Sequence, residues 1–248
     1  REGEFDLVVS PALLRELEFT SLLKSFQASD EPPKSALAET TIIDSEKAAH
    51  VFVESLPKSV PLAVRCLFSV GSGMQADVQG LALSAGDKTV YIPLDVHEYM
   101  RSITSLLHEP TRTKAAHDLK ATLLAFHRIG ITLAAPYFDT MVADYLLHPN
   151  RRDHQLDTLA LELLDHRMGA HAKEKPIPTS LFDDTTGSSA EAAECASVIA
   201  KITPILLEQL KDQGSLELFQ DIEMPLVPVL AEIERNGFLL DVEGLRAL

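Results

Sequence analysis

Two rhythms of apolar and polar positions alternate along this chain of 248 residues. Between Pro11 and Phe26, Leu13, Leu14, Leu17, Leu22 and Leu23 recur at near-helical spacing; Gln27 to Glu39 then turns polar around Pro32 and Pro33 and reads as a linker. Thr40 to Ile43 is a β-branched run, and Asp44-Ser45-Glu46 stands before Val51, Phe52, Val53 and Leu56. That order predicts strand, cap, helix. Leu62 to Ser69, Val78 to Ser84 and Thr89 to Pro93 are strand-like, separated by the turn formers Gly71, Gly73, Gly86 and Asp87. Tyr99 to Leu107 is helical in spacing, Lys114 to His117 a short strand, Leu119 to Ile129 a helix closed by Gly130, and Ile131 to Ala134 a further strand. Asp139 to Leu147, Leu156 to Leu164 and Ala190 to Leu210 read as helices, with a Pro, Ser and Thr-rich loop from Lys175 to Ser189. A long helix from Leu216 to Arg235 carries Pro225 and Pro228 and stops at Asn236-Gly237; the prolines predict a kink or a restart. Strands first and covering helices later give an α/β layered domain.

Composition narrows the class. With 46% hydrophobic residues the chain has material for one sizeable core and a smaller attachment. Its longest apolar runs fall short of a membrane span, and Arg1-Glu2-Gly3-Glu4 has no signal-peptide character, so a cytoplasmic protein without a membrane partner is expected. Cys66 and Cys195 form no CxxC pair and read as packed thiols. The 22 Lys+Arg against 37 Asp+Glu leave a net charge of −15, which makes the chain a poor DNA binder by itself, because such binding rests on cations neutralising phosphates.

Few segments carry reactive chemistry. The nine histidines show no HxxxH or HxH pairing, no GxSxG nucleophile motif is present, and Gly71-Ser72-Gly73 lacks the Lys of a phosphate loop. Asp44-Ser45-Glu46 has an Asp-x-Glu pattern, but immediately before a helix it suits an N-cap with acid in the first turn. Asp139 likewise stands where a cap belongs.

From Phe219 to Leu230 the chain reads FQDIEMPLVPVL, followed by Ile233-Glu234-Arg235-Asn236-Gly237 and Leu240-Asp241. This resembles the segment that opens the polymerase part of bacterial family A DNA polymerases. Phe138-Asp139-Thr140-Met141, Tyr145-Leu146-Leu147 and His154 to Ala160 resemble the helical part of their 3′→5′ exonuclease domain. Gly80-Leu81 and Tyr91-Ile92-Pro93 resemble its second and third strands, and Arg15 to Phe19 with Ser21-Leu22-Leu23 resembles the end of the preceding 5′-nuclease portion. The resemblance runs in one order over nearly the whole chain. It implies a ribonuclease H-like (DnaQ-like exonuclease) mixed sheet flanked by helices, plus a C-terminal helical extension. The implied division is 1–39, a helix and linker from the 5′-nuclease side; 40–214, the exonuclease-like domain; and 215–248, the start of the polymerase (thumb) domain.

Phosphodiester hydrolysis in that family uses two divalent ions about 4 Å apart, held by oxygen ligands. The resemblance supplies them as an Asp-x-Glu on the first strand, an Asp in the helix after the fourth strand, and an Asp in a late helix one turn beyond a Tyr. Aligned on Gly80, on Asp118-Leu119-Lys120 and on Glu191 to Ala196, those four positions hold Arg65, Leu67, Thr122 and Cys195, with Glu191 at the Tyr. None is a carboxylate. Asp118 alone cannot hold two ions, and Glu194 points about 100° away from Cys195 around the helix.

The expected function is therefore that of a polymerase fragment whose exonuclease-like domain is a catalytically inactive support. No catalytic, metal or cofactor residue is assigned within it. The alternatives are an active proofreading exonuclease with a relocated metal site, and an acidic module that binds another protein. The parent would be a DNA-directed DNA polymerase using Mg²⁺, acting in replication and repair as a monomer. The fragment's partner would be the remainder of that chain, which grips DNA on its behalf.

Overall fold

The computed structural model describes residues 40–68, 77–94, 100–169, 189–237 and 239–246. The N-terminal helix and linker, the Gly71-Ser72-Gly73 turn and nearly all of the Lys175 to Ser189 loop lie outside these residues.

Six strands form one mixed sheet: β1 (Thr40–Ile42), β2 (Leu62–Phe68), β3 (Val78–Ala85), β4 (Lys88–Pro93), β5 (Lys114–Ala116) and β6 (Tyr137–Asp139), in the order β1-β4-β3-β2-β5-β6. β2, β3 and β4 are the antiparallel meander that the turn residues predict, and Gly86 adopts φ 62° at its second turn. β5 and β6 join parallel to β2 and to each other, and β1 joins parallel to β4 at the far edge. The parallel register Ala63↔Ala115 and Ala116↔Asp139 brings the C-terminal ends of β2, β5 and β6 to one side of the molecule.

Helix α1 (Glu46–Ser55) starts where the sequence asks: Ser45, with its oxygen accepting from Ala48 N, is the cap and Glu46 lies in the first turn. It packs on α2 (Met100–Leu107), and α3 (Leu119–Arg128), α4 (Thr140–Leu147) and α5 (Leu156–Leu164) follow. The long α6 (Ser189–Asp212) lies across β2, β3 and β4. Burial of Leu81, Leu83, Ile92, Val198, Ile199 and Ile202 at 1% exposure or less marks the centre of the core. A smaller cluster, Ala82, Tyr91, Ala192, Ala193 and Ala196 with Leu67 at its edge, seats the first half of α6 on the sheet.

Two expectations change. Ile131 to Ala134 is not a strand: Ile131 and Leu133 are buried, but Ile131 N–H bonds Phe126 O and Ala134 N–H bonds Leu107 O. The ladder partner of β5 is instead Tyr137–Asp139. The long C-terminal helix is also interrupted. After the single turn Leu216–Leu218, a π-helical turn spans Phe219–Glu223, with Met224 N–H reaching back to Phe219 O, before α7 (Met224–Asn236). A widened turn ahead of Pro225 makes room for a ring that lacks an N–H and would crowd the preceding turn. The extra residue turns Phe219 fully inward, 4.8 Å from the Phe138 ring. Beyond Gly237, α8 (Val242–Arg246) is short.

Candidate functional site at the ends of β2, β5 and β6

Arg65 and Leu67 are two apart on β2 and so share a face of the sheet. Opposite them on β3 stand Ala82 and Gly80, and Tyr91 on β4 lies against Gly80 so closely that a methyl group there would overlap its hydroxyl. The absence of a side chain at Gly80 is therefore a packing requirement. Leu67 packs with the alanines of α6.

Arg65 is half-buried, and its charge reaches two other elements. Burial raises the Cys195 thiol on α6 above its usual value, against the pull of Arg65. Burial, reinforced by Arg65, lowers the His117 imidazole just after β5 from 6.5 to about 4. Arg65 and Cys195 are thus brought together. Thr122 is buried on the first turn of α3 and donates its hydroxyl to Asp118 O at 3.1 Å; among the described residues no hydrogen bond or ion pair joins it to Arg65 or Cys195.

The acids weighed from the sequence have structural partners. Asp118, at φ 62°, caps α3 by accepting from Ala121 N. Asp139 is 1% exposed and caps two helices: it accepts from Met141 N at 2.9 Å at the start of α4, and from Leu119 N at 2.7 Å and Asp118 N at 3.3 Å at the start of α3. Burial nevertheless lifts its carboxyl to about 6, above the downward pull of those N–H donors. Next to it, Thr140 Oγ1 donates to Ala116 O and lies 2.9 Å from His117 Nδ1. Glu194 lies 2.8 Å from His166 Nε2 and accepts from Gly169 N, which fixes the chain after α5 to α6.

One cluster was not foreseen. Asp144 on α4 is 0% exposed, and His148 Nδ1 at 2.8 Å, Arg151 Nη1 at 3.2 Å and His154 Nδ1 at 2.6 Å converge on it. Arg151 also reaches Glu162 on α5 at 2.8 Å. This buried carboxylate ties the loop between α4 and α5 to both helices. The only trace in the sequence is a density of His and Arg from His148 to His154, with no motif spacing.

The donor set at Arg65, Leu67, Thr122 and Cys195 does not fit a pair of divalent cations: it comprises a guanidinium, a hydrocarbon, a hydroxyl already donated to the backbone and a thiol held protonated by burial. Among the described residues, no group of three or more His, Cys, Asp and Glu is placed to hold a metal ion, and no helix is long and apolar enough to cross a membrane. A cavity of about 580 Å³ lies elsewhere, between β6, α6 and α7, lined by Tyr137, Phe138, Leu207, Phe219, Met224 and Pro228 among others.

Residues 72–169 match the family model described as DNA polymerase I, ribonuclease H-like domain. DNA polymerase I of Pseudomonas aeruginosa is 28% identical over 274 aligned positions, covering 94% of this chain and 29% of that protein. DNA polymerase I of Treponema pallidum is 32% identical over 68% of this chain and 17% of its own length. The chain therefore spans less than a third of either relative. The POL domain of Pol1 from M. smegmatis, solved with DNA primer-template and dNTP, has the same fold over 84% of this chain and 34% of its own, with a TM-score of 0.68 at 23% identity. By family model, by relatives that extend over most of its length and by fold, this chain belongs to the DNA polymerase I family and carries its ribonuclease H-like domain.

Proposed function

We propose that this exonuclease-like domain hydrolyses no DNA and serves as a support on which the polymerase part of a DNA polymerase I is mounted. The observation that carries the reading is the residue set at the ends of β2, α3 and α6, where Arg65, Leu67, Thr122 and Cys195 offer no oxygen cage. Packing and metal binding use different residues, so a fold outlives its site when the core pattern is kept. The division into 1–39, 40–214 and 215–248 belongs to the same proposal.

The join between domain and extension supports the mounting role. Phe219, Met224, Val227 and Ala231 are buried against the domain, α7 packs on α3, and Lys120 meets Glu234 at 2.7 Å. On the other side of α7, Ile222, Leu226, Val229, Leu230 and Ile233 form an exposed apolar stripe at helical spacing, the kind of face the remainder of a polymerase chain would cover. The parent enzyme would carry out template-directed DNA synthesis with Mg²⁺ and deoxynucleoside triphosphates in replication and repair, within the bacterial cytoplasm and as a monomer. Its metal would be held by residues outside this chain.

The test is direct. Incubated with 5′-labelled single-stranded DNA and Mg²⁺ or Mn²⁺, the chain is expected to leave the strand intact. Metal-dependent shortening from the 3′ end, abolished by substitution of an acid in this domain, would replace the reading with that of a nuclease whose site has moved.

A further inference from the structure

The cavity between β6, α6 and α7 is large enough for a small molecule: its volume of about 580 Å³ lies within the range of roughly 300–1,000 Å³ that small-molecule sites occupy. Its walls are stiff. Pro61, Pro136, Pro225 and Pro228 supply rings with no rotamer freedom to collapse inward, and the Phe138 and Phe219 rings, 4.8 Å apart, are buried. One wall is the π-helical turn, since Phe219 and Gln220 belong to it and Met224 and Pro225 follow at once; such turns recur at functional sites.

The chemistry of the lining selects the occupant. None of its side chains carries a charge. Thr203 donates its hydroxyl to Ile199 O and Tyr137 to Leu133 O, while Thr113 O accepts from Leu62 N and Pro136 O from Lys114 N. Those groups are committed to the fold. Among the described residues, the Thr113 hydroxyl and the Gln220 amide are the polar side-chain groups of the lining that make no hydrogen bond. A charged molecule would lose hydration there with nothing to replace it, whereas a ring system with one or two hydrogen-bonding atoms matches apolar walls and two free polar groups. The cavity is also separate from the face left for the rest of a polymerase chain, because none of Ile222, Leu226, Val229, Leu230 and Ile233 lines it.

We infer that this cavity is a binding site for a small uncharged aromatic or alicyclic molecule, and that its occupant fastens α7 to the domain by touching β6, α6 and α7 together. The inference goes beyond the supporting role and is independent of the question of hydrolysis, because none of Arg65, Leu67, Thr122 and Cys195 lines the cavity.

The experiment titrates the chain with N-phenylnaphthylamine, an uncharged dye with one N–H whose emission rises in apolar surroundings. Expected are saturable one-to-one binding, a melting midpoint that rises by several degrees at saturation, and slower proteolysis in α7. Leu207→Trp, which fills the cavity from α6, should weaken binding by about tenfold or more; Gln220→Trp, at an exposed position of the lining, gives the same comparison should the first variant melt below the wild type. Leu230→Lys, on the exposed stripe, should leave the affinity unchanged. Anilinonaphthalene sulfonate, which adds a charge, should displace the dye only at about tenfold higher concentration or more. Affinity unchanged in a folded cavity-filling variant, affinity lost in a folded Leu230→Lys, displacement by the sulfonate at equal concentration, or a midpoint unmoved by saturating dye overturns the inference.

Discussion

His117 and Asp139 are linked through Thr140, and burial shifts the two groups so that neither carries its ordinary charge near pH 5. His117 titrates near 4 in the fold against an ordinary 6.5, mainly through burial and then the charge of Arg65. Its contribution to stability is present above about pH 6.5 and is lost as pH falls toward 4, because the unfolded chain then binds the extra proton. Asp139 titrates near 6 against an ordinary 3.8, mainly through burial. Being raised, its contribution is present below about 3.8 and is lost as pH rises through 6. Each shift is worth on the order of 3 kcal/mol. Between pH 4 and 6 the two slopes oppose, so the wild type is expected to show little pH dependence there. Removing one group should expose the other: in His117→Gln, urea midpoints should fall as pH rises from about 4 to 6, and in Asp139→Asn they should rise over the same window. If both variants track the wild type, the burial account of the two shifts is wrong.

At the scale of elements, the joint between α6 and α7 decides whether the extension is part of the domain. Phe219 is 1% exposed and pairs with Phe138, whereas Ile222, three residues on, is 57% exposed. Phe219→Ala is expected to cost about 3–5 kcal/mol in denaturant unfolding and to release α7 to proteolysis, while Ile222→Ala should cost less than about 0.5 kcal/mol. Lys120→Ala should cost less than about 1 kcal/mol, since its ion pair with Glu234 is exposed on both sides. Equal costs for Phe219 and Ile222 would mean that α7 is not seated as described. Most of these elements were legible in the sequence: the β-branched runs, the Ser45 and Asp139 caps and the Gly130 stop all stand where local chemistry places them. Ile131 to Ala134 misled because burial alone gives a strand-like pattern, and only the backbone partners show that the ladder lies at Tyr137–Asp139. The π-helical turn was hidden because two prolines announce a disturbance without fixing where the widened turn falls. The place of Arg65 and Leu67 on a strand beside Gly80 was legible, because the alternation of β2 and the glycine that Tyr91 demands are both local features. The Asp144 cluster was not, because His148, Arg151 and His154 meet only after the chain reverses beyond α4.

For the whole molecule, the excess of acid makes the proposed absence of a metal pair testable by building one. If Arg65, Leu67, Thr122 and Cys195 occupy the four ligand positions, replacing them together by Asp, Glu, Asp and Asp should create four converging carboxylates in a chain already at −15. Without metal, those charges are desolvated and repel one another, so R65D/L67E/T122D/C195D is expected to melt well below the wild type in EDTA. A divalent ion neutralises them and binds only the folded state, which at a hundredfold excess over Kd returns about 2.7 kcal/mol. Thermal melts should therefore separate the two proteins: the wild type keeps one midpoint in EDTA and in Mn²⁺, while the fourfold variant rises by several degrees when Mn²⁺ is added. The single variant Arg65→Asp should show no such rise, because one new acid beside a leucine and a thiol cannot hold a pair of ions. A fourfold variant that folds and ignores Mn²⁺ would mean that these four side chains do not converge, and the proposal that they stand at the ligand positions of a metal pair would fall with it.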